Sequence, residues 1–277
     1  MTISARNDFF KAGIILASLS LVLIAAGGHF AFSGYPQAAA SAVLRSGGII
    51  QILVGGFANP SAYVPFYTML IAVLYSLISI ILINYFFLKT QSPEILFFGF
   101  FVISLSFEFA RGMIPLFKVV PFSAMYLMTS SRLLLFGRYF GVFSLFAASV
   151  YAAGLDGQKQ QNIFFIAALS ALIIALNVPI DPLVWDSSFT LLSGYGTMFI
   201  MVEIGILAVT MLTFFISAYI RDSRTYIYIG FGTFLVYAGR NILINSDTWI
   251  TPLPGLLLLA VGTWLICTRL HREYLWY

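Results

Sequence analysis

Eight apolar runs, each long enough for a helix to cross a bilayer, dominate this chain and dictate its architecture. They fall at 11–31, 64–88, 95–117, 130–153, 163–180, 195–219, 225–246 and 252–268, separated by short polar, Gly- or Pro-containing stretches. A helix satisfies its backbone hydrogen bonds internally, so apolar runs of this length read as transmembrane α-helices. Composition agrees: 61% of residues are hydrophobic and only 9% charged, against about 25% charged in a soluble domain. The outer surface therefore faces lipid. The expected fold is an all-α polytopic transmembrane bundle of about eight spans, one leading helix plus a seven-helix unit. Residues 1–277 form a single membrane-embedded domain. The same arrangement occurs in bacterial membrane sensors, an analogy of architecture alone.

The stretch 34–63 is only half apolar. It reads as an external loop whose segment 38–57, with Arg45 and the pairs Gly47-Gly48 and Gly55-Gly56, forms an interfacial or re-entrant helix. Lys and Arg set the orientation. One side carries Arg6, Lys11, Lys89, Lys159, Arg221, Arg224, Arg269 and Arg272; the other has Arg45 and Lys118 with Asp181, Asp186 and Asp247. The basic side is placed in the cytoplasm, with both termini, in a bacterial inner membrane. An alternative takes Arg6, Lys11 and the first apolar run, ending at Ala31-Phe32-Ser33, as a cleaved secretory signal. The net charge of +4 then reports topology, and no nucleic-acid partner is expected.

Ionisable side chains inside a span cost several kcal/mol each, so every one needs a partner, water or a function. Glu108, Arg111, Arg138, Glu203 and Arg240 qualify, and Arg132 stands near the outer end of its span. Counted from the cytoplasmic ends at 1.5 Å per residue, Glu108 lies roughly 21 Å up, Arg240 roughly 23 Å, and Arg111, Arg138 and Glu203 roughly 24 to 26 Å. Arg132 is at roughly 33 Å. Four helices thus bring buried charge to one layer in the outer half of the bilayer, with Tyr139, Tyr237, Asn241 and His29 at similar depth. Glu108 and Arg111, three residues apart, share a helix face and are expected to pair. That leaves Glu203 for Arg138 or Arg240. With Arg132 included, four Arg stand against two Glu. Guanidinium does not deprotonate at ordinary pH, so water, carbonyls or an anion must meet the excess. A scaffold explanation is open beside it: such a network can fix which helices are neighbours.

Several classes are excluded. The four lysines lie at span ends or in loops, which removes a retinal Schiff base. Two histidines and one cysteine, Cys267, make a zinc or haem site unexpected, so no metal and no cofactor is assigned. All six aspartates fall outside the apolar runs, which argues against intramembrane aspartyl chemistry, and a serine triad lacks a base. Gly137 and Gly141 bracket Arg138 at a spacing that lets helices approach closely.

The leading expectation is an integral membrane ligand- or lipid-binding module, sensor-like or an accessory subunit of a membrane complex. Its outward-facing pocket is lined by Glu108, Arg111, Arg132, Arg138, Tyr139, Glu203, Tyr237, Arg240 and Asn241. Its ligand would be an anionic small molecule or a lipid headgroup. The short connections carry no catalytic domain, so a signal would pass to a membrane protein partner. The alternative is a small secondary transporter for an anionic or zwitterionic substrate. The absence of an evident Gly/Pro break in mid-span argues against it. An intramembrane enzyme using Glu108 or Glu203 as general acid or base comes third; no catalytic residue is assigned.

Overall fold

The computed structural model describes residues 3–33, 63–87, 92–119, 123–155, 159–186 and 188–275. Its helices are α1 (Ile3–Ser33), α2 (Tyr63–Phe86), α3 (Pro93–Ser104), α4 (Met113–Val119), α5 (Ala124–Ala152), α6 (Gln160–Asn177), α7 (Gly196–Ile220), α8 (Thr225–Ile244) and α9 (Pro252–Leu275). A 3-10 segment, Leu105–Gly112, joins α3 to α4 into one span. Among the described residues, eight spans are long and apolar enough to cross a membrane, in register with the eight apolar runs. The interfacial or re-entrant helix expected within 34–63 lies outside the described residues.

The third span is the axis of the bundle, the most buried of the eight. It packs against α1, α2 and α5, and the core around it is largely aromatic: Phe97, Phe98, Phe100 and Phe101 are buried against Phe10, Phe140 and Tyr151. Ser92 caps α3, its Oγ accepting from Ile95 N at 3.2 Å, with Pro93 at the first helical position. The α3–α5 contact is close because Gly137 faces Phe107 and Gly141 faces Ser104; a Cβ at residue 137 would come 2.5 Å from that of Phe107. This is the small-residue approach expected from their spacing.

A second seam joins α8 to α9. Gly232 and Gly239 on α8 face Gly262 and Gly255 on α9 so closely that a Cβ on Gly239 would lie 2.7 Å from both Gly255 O and Leu259 N. The pair leans on α7 and α2. By contrast α6 and α7, consecutive in sequence, scarcely touch. Each packs on α5, leaving a groove of about 710 Å³ between them beside Gly205.

The run expected to end as helix at 180 ends at Asn177 instead. Pro179 and Pro182 cannot continue a helix, and the chain forms an antiparallel hairpin, β1 (Ile180–Trp185) and β2 (Leu191–Ser193). The start of α1 and the end of α9 are at the opposite end of the bundle. There Arg6 Nη2 donates to Phe87 O at 2.7 Å, and Tyr274 Oη donates to Glu94 Oε2 at 2.7 Å.

Candidate functional site

The charged layer begins with an irregularity in the third span. Pro115 lacks an amide hydrogen, and its ring crowds the carbonyl of Arg111 one turn back. The backbone upstream tightens into an eight-residue 3-10 stretch, longer than such turns usually run. Ala110 O, which accepts from Met113 N in the 3-10 pattern, also accepts from Ser130 Oγ at 2.5 Å. In a 3-10 helix side chains three apart eclipse, which stacks Glu108 directly under Arg111.

Both are buried, and they do pair, Arg111 Nη1 standing 3.5 Å from Glu108 Oε2. The stronger partner comes from α5. Arg138 Nε reaches Glu108 Oε1 at 3.0 Å and its Nη2 reaches Oε2 at 3.2 Å, a two-pronged contact. Glu108 therefore holds two guanidiniums, and the expectation that Glu203 would take Arg138 or Arg240 does not hold. Glu203 Oε2 accepts from Tyr237 Oη at 3.0 Å. The reason is geometric: Glu108 is fully inside the bundle between the two arginines, while Glu203 stands half-buried on the more peripheral α7.

Arg111 has a second task. Its Nε donates to Ser188 O at 2.8 Å, and its Nη2 also bonds that oxygen. Ser188 is at the hairpin tip, where Asp186 Oδ1 accepts from Ser188 N at 3.0 Å, Ser188 Oγ at 2.8 Å and Thr190 N at 3.0 Å. Phe189, with φ of 57°, turns its ring into an apolar patch with Ile24, Met69 and Phe109, and Leu191 packs on Ile114 and Leu127. The hairpin is thus plugged into the bundle directly above the charges.

Arg240 differs from the others. It is 2% exposed, yet among the described residues it makes no hydrogen bond or ion pair, and its Nη1 is fully buried without a partner. The Tyr237 ring stands beside it, 5.9 Å from the guanidinium carbon. Glu108, Tyr139 and Tyr237 lie within electrostatic reach of it. Asn241 is one turn beyond Tyr237 on the same helix face. The layer thus holds Arg111, Arg138 and Arg240 against Glu108 and Glu203; Glu108 contacts the first two and reaches Arg240 only at longer range, so Arg240 is the guanidinium left without a contacting carboxylate.

Arg132 does not join this group. It is six residues before Arg138, which turns it about 240° around the helix, and it lines a separate groove between α5 and α6. The side chain of His29 lies outside the described residues. Sequence reasoning missed Ser188, whose carbonyl is a ligand of Arg111, because a backbone oxygen has no sequence signature. It also missed the hairpin, for which Pro179, Pro182 and Asp186 were the available signals. Among the described residues no group of His, Cys, Asp or Glu could hold a metal ion. No family model, curated protein or solved structure matches the chain.

Proposed function

We propose that this protein is a membrane ligand-binding module, sensor-like or an accessory subunit, that binds an anionic ligand at Arg240. In this reading the hairpin side faces the outside of a bacterial inner membrane, the termini are cytoplasmic, and a membrane protein partner receives the signal. The observation that carries the reading is the buried, unpartnered guanidinium. A buried charge without a hydrogen-bonded partner is expensive, and Arg cannot neutralise itself by losing a proton. A carboxylate or phosphate offers the two-pronged acceptor that Arg240 lacks. Tyr139, Tyr237 and Asn241 supply hydroxyl and amide groups beside it. The Arg111–Ser188 contact supports a link from this layer to the outer surface, because any rearrangement of Arg111 must move the hairpin tip.

One observation favours a second reading, a secondary transporter: the third span is broken by its 3-10 stretch at the charged layer, as substrate-binding helices of transporters often are. Equilibrium binding of inorganic phosphate and small carboxylates to the purified protein tests the first reading. Saturable binding that disappears in Arg240→Gln supports it, and unaltered binding removes Arg240 from the site. Uptake of the bound anion into proteoliposomes, absent from protein-free vesicles, would move the assignment to transport.

A further inference from the structure

Arg132 stands at the hairpin end of a groove of about 590 Å³ that runs down the lipid-facing seam of α5 and α6. Below it the walls are Leu133 and Phe136 from α5 and Phe165, Leu169, Leu172 and Leu176 from α6. Thr129, one turn above, is the other polar side chain lining it. Arg132 makes no hydrogen bond or ion pair among the described residues, and its Nε is buried without a partner. We propose that this groove holds an anionic phospholipid, its phosphate on Arg132 and one acyl chain along the seam.

The dimensions fit that occupant. On α6 the lining runs from Phe165 to Leu176, about 16 Å of helix, close to half of the ~30 Å hydrocarbon core. One leaflet's chain spans that distance. Arg132 is eight residues from the start of α5 at Ala124, about 12 Å below the helix end. The 29-residue helix is about 43 Å long and overhangs the hydrocarbon on both sides. Arg132 therefore starts about 5 Å inside the edge of the core, a depth from which its long side chain can reach up to the level of a phosphodiester. The charge fits as well: with no carboxylate paired to it, Arg132 favours a lipid of net negative charge over a zwitterionic one. The site is separate from Arg240, on another face of the bundle.

The test counts lipid molecules retained by native mass spectrometry. The purified full-length protein is equilibrated in mixed micelles of phosphatidylglycerol and excess phosphatidylcholine. Wild type is expected to retain one phosphatidylglycerol in preference to phosphatidylcholine. Arg132→Gln should weaken that retention about tenfold, and Leu172→Trp, which fills the groove from its exposed wall, should do the same. Arg240→Gln should leave it intact, because that change concerns the other site. Equal retention by wild type and Arg132→Gln, or no preference for the anionic lipid, overturns the proposal without touching the reading of Arg240. Should either groove variant fold poorly, the headgroup preference of wild type decides alone.

Discussion

Arg138 grips both carboxylate oxygens of Glu108 from a neighbouring helix, at 3.0 and 3.2 Å, and this contact ties α5 to the axial span. Its consequence is that the two membrane glutamates are not equivalent. Glu108 is buried between two guanidiniums, and removing its charge strands both. Glu108→Gln is expected to cost roughly 3–5 kcal/mol of stability, with part recovered in the Glu108→Gln/Arg138→Gln double variant. Glu203→Gln keeps an oxygen that can accept from Tyr237 and gives up only the charge, so it should cost no more than about 1 kcal/mol. Unfolding titrations in detergent micelles check the contrast; equal damage from the two single variants would contradict it.

The same contact changes what a substitution at Arg138 reports. Lys keeps the charge but not the planar fork, so Arg138→Lys should lower stability by about 1–3 kcal/mol, as for a hydrogen bond to a charged group. It should leave anion binding largely in place, since Arg138 already has a carboxylate. Loss of binding with unchanged stability would place Arg138 in the ligand site.

The hairpin plug depends on Arg111 and on the turn built by Asp186. Asp186→Ala removes the acceptor of three hydrogen bonds. The amides of 188–190 should then exchange with deuterium faster, while those of the α3–α5 core stay protected. Arg111→Gln should have the same local effect with a larger global loss, because it also unbalances Glu108. Unaltered exchange at the tip in both variants would show that apolar packing of Phe189 and Leu191 suffices.

The α8–α9 seam is specified by backbone proximity. Gly239→Val drives a branched side chain against the backbone of Gly255 and Leu259 and should destabilise by at least about 1–3 kcal/mol. Gly205→Ala, where a Cβ meets nothing within 4 Å, should be nearly neutral. A thermal unfolding comparison of the two reads this directly.

The spans were legible because each needs a long apolar run, and lipid leaves no other way to satisfy the backbone. The depth of the charges was legible for the same reason: one helical rise converts residue number to height. Azimuth was not. Arg132 and Arg138 are six residues apart on one helix but face different seams, and assigning a face needs the neighbours of α5. The pairing of Glu108 with Arg138 in preference to Arg111 alone, and of Glu203 with Tyr237, also depends on which helices adjoin. The break at 105–112 could be anticipated from Pro115, whose effect falls a turn upstream of the proline. Nothing in the sequence singled out Arg240 among the arginines; its lack of a partner is a property of the assembled bundle.

Arg240 is also where the account is most exposed. The decisive measurement is the unfolding midpoint of wild type and Arg240→Gln, each with and without inorganic phosphate. Without the anion the variant should be at least as stable as wild type, because it removes a buried guanidinium that no carboxylate contacts and on which Glu108, already holding two arginines, acts only at longer range. With phosphate at a hundredfold excess over its dissociation constant, wild type should gain about 2.7 kcal/mol and the variant nothing. A variant far less stable than wild type in the absence of anion, or one that phosphate stabilises as much as wild type, would contradict the claim that Arg240 stands ready for an anionic ligand.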